Sequence, residues 1–213
     1  MKTYPCFLLA LFLSGGVAPA ADQLPREWID ADTGHRIVQL STEPGSASLY
    51  FTQYAYTAGG TKLLMTNHDG IDLVTLSTGE IEHVYQGHYD RVLQTGRKTG
   101  AIYYTNGGFV YALDPATRQS RQLAKMPPHC SVVTINAYET LSAGAITEGG
   151  SRPDLAPRLP PPPPSGYKPG ETMLGKDNYP DKPDMMKRRL AARLPMTMIT
   201  LNLQSGEVKE LLQ

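Results

Sequence analysis

An all-β fold built from repeated four-stranded units is what this sequence predicts, on three observations. Four segments, 30–40, 74–85, 110–123 and 199–212, share one pattern: apolar alternation, a polar turn, then alternation again. The first three recur about every 40 to 45 residues, the spacing of propeller blades. The 213 residues also include 20 glycines and 18 prolines, a turn-rich composition that disfavours a helical bundle. The expected class is a β-propeller with about three four-stranded blades, at residues 47–86, 88–125 and 129–213, preceded by an orphan N-terminal strand at Gly34 to Leu40.

The chain opens with Lys2, a short apolar run from Phe7 to Leu13, and the small-residue sequence Ala18-Pro19-Ala20. That is the layout of a secretory signal peptide over residues 1–20, and the run is too short to span a bilayer. Export to the periplasm or the cell exterior follows, with no membrane attachment after cleavage. Cleavage there removes Cys6 and leaves the single thiol of Cys130, so no internal disulfide is expected. Twenty basic residues balance 20 acidic ones, which gives no electrostatic footprint for nucleic acid or an acidic membrane surface.

Each blade is assembled in order along the chain. Leu49 to Thr57, a Gly59-Gly60 turn and Lys62 to Thr66 lead into the hairpin at 74–85. Arg91 to Gln94, a turn at Gly96 to Gly100 and Ala101 to Thr105 repeat the unit. Ser131 to Asn136 and Leu141 to Ile146 begin it a third time. The first hairpin copy has no inner strands before it. Closed propellers have about four to eight blades, so three blades and an orphan strand read as the front part of a longer ring. Two other arrangements stay open: an open three-blade assembly that self-associates, and a separate C-terminal half that docks on the free blade faces, for which Val132, Val133 and Ile135 supply apolar surface.

An insertion with a short basic helix interrupts the third blade at 148–195. It contains five consecutive prolines, Pro160 to Pro164, which have no amide donors and cannot enter a ladder. Asp184 to Leu194 then reads as a short helix, capped by Asp184 and stopped by Pro195. On it Met185, Leu190 and Leu194 share one face, and Arg189 and Arg193 share another. With Arg188 and Lys187 this is the most basic spot in a neutral chain. It reads either as a solvated face or as a clamp for carboxylates, which guanidinium groups hold bidentately.

Two blocks, Trp28 to Leu40 and Gly45 to Gln53, resemble the N-terminal region of oligogalacturonate lyases, as do Gly96 to Tyr104 and Met185 to Pro195. The Ser48-Leu-Tyr-Phe-Thr-Gln53 block and the basic helix are the more specific parts, although Thr52 departs from a histidine common in relatives. The resemblance implies a seven-bladed propeller that cleaves oligogalacturonides by β-elimination in pectin degradation. It also implies manganese or a similar divalent metal beside a histidine base, both supplied by later blades that this sequence does not reach. No catalytic residue and no metal ligand is carried over.

The five histidines, His35, His68, His83, His88 and His129, show no HxH or HxxH pairing and no acidic residue at metal spacing, and read as exposed or edge-strand residues. What the resemblance leaves is contact with the acidic oligosaccharide. Tyr50 and Gln53 fall on the inner strand of the first complete blade, where a ring can stack on a sugar and an amide can bond its hydroxyls. Arg188, Arg189 and Arg193 would bind the uronate carboxylate. GxSxG elbows, Walker loops and CxxC pairs are absent. The competing class is a non-catalytic exported propeller domain that binds a polysaccharide or a protein partner.

Overall fold

A computed structural model describes residues 26–149, 190–191 and 193–212. The predicted signal peptide and most of the proline-rich insertion lie outside the described residues. Two units separate, Met1–Gln39 and Leu40–Gln213. In the first, Glu27–Ile29 (β1) pairs antiparallel with Arg36–Val38 (β2), so the orphan strand is one arm of a short hairpin. Arg36 grips Glu27 through two hydrogen bonds of 2.5 and 2.8 Å on the exposed side.

The second unit contains three four-stranded antiparallel sheets. Blade 1 runs from the inner edge outward as Ala47–Ser48 (β3), Lys62–Thr66 (β4), Gly70–Thr75 (β5) and Ile81–Gln86 (β6). Blade 2 is Arg91–Thr95 (β7), Ile102–Asn106 (β8), Phe109–Asp114 (β9) and Gln119–Lys125 (β10). Blade 3 is Cys130–Ile135 (β11), Leu141–Thr147 (β12), Met196–Asn202 (β13) and Val208–Leu212 (β14). Chain order equals spatial order in every sheet, the meander of a propeller blade, and the sheets form part of an open ring.

The repeat is exact enough to align the blades residue by residue. Every outer hairpin turns on the same backbone bond, Gly34 to Asp30, Gly79 to Thr75, Arg118 to Asp114 and Gly206 to Asn202. The donor is left-handed each time, at φ between 58° and 75°; glycine reaches that region freely, whereas Arg118 does so under strain. Each blade also carries a bulge in its outermost strand, at Val84, Leu123 and Leu211.

Burial on both faces of the middle blade explains why its strands read as apolar runs. Val92, Ile102, Tyr104 and Leu113 pack against Leu64, Ile71, Leu73 and Val84 of blade 1. Leu93, Tyr103, Val110 and Ala112 face the other way, onto Val132, Ile135, Leu201 and Leu203 of blade 3. Each fully buried aliphatic side chain contributes about 1.5–3 kcal/mol. Polar side chains join the inner strands. Gln94 donates to the Ile135 carbonyl and accepts from Thr134 and from the Ile135 amide. Glu139 takes the Lys98 and Thr99 amides and the Tyr103 hydroxyl.

Three expectations change. Leu49 to Thr57 is not a continuous strand: after Ser48 the chain leaves the ladder and returns only at a bridge between Tyr56 and Leu63. The apolar surface offered by Val132, Val133 and Ile135 divides, because alternation and a bulge turn Val132 and Ile135 into the core and leave only Val133 on the far face, 46% exposed. The predicted helix ends early. Leu190 and Ala191 are helical, but Arg193 sits at φ 44°. Pro195 disfavours a helical Leu194, so the chain must leave the helix before it.

Candidate functional site

The first candidate lies in the break of the blade 1 inner strand. Between the pairs Ser48–Met65 and Tyr56–Leu63 the inner strand advances eight residues while β4 advances two, so the surplus loops out. Tyr50 and Phe51 occupy this loop, 65% and 84% exposed, their ring centroids 4.4 Å apart. With Gln53, Tyr56 and Leu63 they line an open cavity of about 750 Å³. The two residues named from sequence thus meet at one cavity but differ in availability. Gln53 donates to the Val92 and Leu93 carbonyls at 3.0 and 2.6 Å and accepts from the Tyr50 amide, which fixes the loop on blade 2. Its amide is committed to the protein, whereas the rings of Tyr50 and Phe51 are free.

Arg193 is exposed and left-handed, so it does not continue the face expected to carry Arg189. Arg188 and Arg189 lie outside the described residues. The insertion leaves and re-enters blade 3 without disturbing its ladder. Thr147 pairs with Met196, and the Glu148 amide bonds the Pro195 carbonyl at 3.0 Å. The insertion thus emerges at the turn equivalent to Asn67–Asp69 of blade 1.

That blade 1 turn borders a second cavity of about 450 Å³, at the other end of β4 from the first, lined by Glu43, Asn67, His68, Asp69, His83 and Gln86. Behind its wall Asp72, on β5, is fully buried, and the lining residue His83, on β6, faces it across the ladder. His83 Nδ1 lies 2.8 Å from Asp72 Oδ1, and Asn67 Nδ2 donates to Asp72 Oδ2 at 2.5 Å. The hydrogen bond with Asp72, followed by that carboxylate's charge, raises the His83 pKa above its ordinary value. The other ring nitrogen, Nε2, is 3.9 Å from a Glu43 carboxylate oxygen. Two residues on from Glu43, Gly45 packs on the His68 ring: a Cβ there would lie 2.3 Å from it.

The linear spacing of the histidines hides this cluster, since Asp72 and His83 are eleven residues apart. The hairpin pattern holds the missing signal: pairing β5 with β6 across the Ser77–Gly79 turn sets Asp72 opposite His83. Among the other histidines, His88 is exposed near Asp90 at 3.4 Å, and His129 uses its carbonyl to bond the Thr147 amide.

Comparison with solved structures identifies the architecture. A manganese-bound oligogalacturonate lyase superposes with a TM-score of 0.61 at 19% identity, covering 86% of this chain and 45% of that one. An oligogalacturonate lyase from Vibrio parahaemolyticus superposes with a TM-score of 0.60 at 15% identity over the same shares. This chain therefore spans less than half the length of either. No protein-family model and no curated protein matches by sequence. At these identities the likeness shows the propeller fold.

Proposed function

We propose that this chain forms the first blades of an oligogalacturonate lyase-type propeller and binds short galacturonate oligosaccharides for cleavage by metal-assisted β-elimination in pectin breakdown. The observation that carries the reading is the superposition of 86% of the chain on two such lyases, joined to the sequence blocks that resemble their N-terminal region. β-Elimination needs a base to take the proton beside the uronate carboxylate and a cation to spread the resulting charge. Manganese accompanies one of the structural neighbours. The resemblance assigns that base and that cation to later blades, and no residue of this chain takes either role.

The chain's own part in this reading is recognition. The exposed faces of Tyr50 and Phe51 offer the flat apolar surface on which a pyranose ring packs, while Gln53 holds their loop in place. Arg193, with the neighbouring arginines of the sequence, provides positive charge for the carboxylates. In this reading the chain alone binds substrate without turning it over.

Calorimetric titration with trigalacturonate, paired with an assay for unsaturated product, tests this. The expected result is saturable binding that weakens about tenfold in Tyr50→Ala/Phe51→Ala, without product. Cleavage by the chain alone would overturn the assignment of chemistry to other blades. Absence of binding would overturn the substrate reading and favour a protein-docking propeller domain.

A further inference from the structure

We infer that blade 1 holds a divalent transition-metal ion between His83 Nε2 and the Glu43 carboxylate, with Asp72 orienting the histidine from behind. This inference stands on blade 1 itself and is independent of the oligosaccharide reading.

Orientation is the first support. A ligating histidine normally gives its second ring nitrogen to a carboxylate or carbonyl, which fixes the tautomer and raises the basicity of the ligating nitrogen. Asp72 occupies that place: it is buried, 2.8 Å from Nδ1, and its second oxygen is held by Asn67. In the neutral ring whose Nδ1–H donates to the Asp72 carboxylate, the Nε2 lone pair points outward. It meets Glu43 across 3.9 Å, a gap that two metal–ligand bonds of about 2.0–2.2 Å can span. All three side chains place a ligand-type atom within 4.8 Å of the others. The site opens on the cavity of about 450 Å³, which leaves room for water to complete the coordination.

The repeat supplies the second support, as an internal control. The bulge in each outer strand aligns the cross-strand pair Asp72–His83 with Tyr111–Gln122 in blade 2 and Ile199–Glu210 in blade 3. Blade 3 fills the position of Asp72 with a buried isoleucine, and blade 2 with a tyrosine whose hydroxyl bonds Gln122 at 3.2 Å. The architecture therefore has no need of a buried carboxylate there. A carboxylate removed from water in one blade of three is costly unless it is paired; Asn67 and His83 supply that pairing, and it fixes the ring whose other nitrogen faces Glu43.

The donor set of one imidazole and one carboxylate, completed by water, suits manganese through zinc rather than calcium. The test is titration of the full chain with Mn²⁺, following loss of the free-ion electron paramagnetic resonance signal. One site is expected. Glu43→Gln, on an exposed side chain whose loss leaves the fold intact, should weaken it at least tenfold, and His83→Gln should abolish it. Asp72→Asn should weaken it about 10- to 100-fold, the usual effect of removing such an orienting group. Circular dichroism melting of each variant separates lost binding from lost folding, and Glu43→Gln decides the matter if the Asp72 or His83 variant unfolds. Absence of saturable binding, or binding unchanged in Glu43→Gln and His83→Gln, would overturn the inference and leave Asp72–His83 as a hydrogen-bonded pair. Because no oligosaccharide is present, this outcome is independent of the substrate reading.

Discussion

Blades 1 and 2 share one hairpin turn, one bulge and one core between them, yet the cross-strand pair beside the bulge is Asp72–His83 in the first and Tyr111–Gln122 in the second. Both pairs are hydrogen-bonded. In blade 2 the bond is neutral, and Tyr111 stacks on Tyr104 with ring centroids 5.2 Å apart, so the pair is part of the packing. In blade 1 the pair is ionisable, and its outward nitrogen faces a second acidic group and a cavity. The repeat fixes where a polar pair can stand; the choice of residue decides whether that place is mortar or a site. A second contrast runs between blades 2 and 3. Leu93 and Val110 of blade 2 are fully buried by blade 3, while Val133 and Met198 at the matching positions are 46% and 51% exposed. Apolar residues are kept on that open face as though a further sheet belonged over it.

These contrasts can be broken experimentally. The largest effect is expected from the covered face. Leu93→Ala should cost about 3 kcal/mol in urea unfolding, whereas Val133→Ala should change stability by less than about 1 kcal/mol. Equal costs would mean that the open face is already covered in solution. Next comes the polar pair: Asp72→Ala strands Asn67 and His83 and should cost about 2 kcal/mol, against about 1 kcal/mol for Tyr111→Phe. The smallest effect concerns the clasp between blades 2 and 3. Burial opposes ionisation of Glu139, but hydrogen bonds from Thr99, Lys98 and Tyr103 outweigh it and hold its carboxyl below the ordinary value. A depressed carboxylate contributes stability above its unfolded pKa and loses it as pH falls through the folded one. Glu139→Gln should therefore cost about 1 kcal/mol at neutral pH, with the gap from wild type closing on acidification. At the alkaline end the signs reverse. Burial, reinforced by Glu139, pushes Tyr103 up to about 12, so its contribution is complete below the ordinary tyrosine value and disappears as pH rises through about 12.

Much of the fold was legible because blades are local objects. Period-two alternation, Gly-containing turns and a spacing near 40 residues place every four-stranded sheet, since each strand pairs with its chain neighbour. The break after Ser48 was not legible. Leu49 to Thr57 alternates well enough to pass for a strand, and what lifts it off the ladder is Gln53, whose amide finds carbonyls on β7 about forty residues away. The helix end, placed at Leu194 but already left at Arg193, has a local cause instead, the weight of Pro195 on Leu194. Of the candidate site, Tyr50 and Gln53 were found as neighbours, but the facing of Asp72 and His83 depends on ladder register, and the approach of Glu43 to His83 joins residues forty apart in the chain. The first can be read only by registering the hairpin about its turn, and the second leaves no spacing motif in the sequence.

The central claim is that blade 1 alone among the three carries a built site at the position of this cross-strand pair. Anomalous diffraction from crystals of the chain grown with manganese tests it most directly. The account predicts one peak, bonded to His83 Nε2 and the Glu43 carboxylate, and none beside Tyr111–Gln122 or Ile199–Glu210. An empty blade 1 position, or equal peaks at all three pairs, would contradict it.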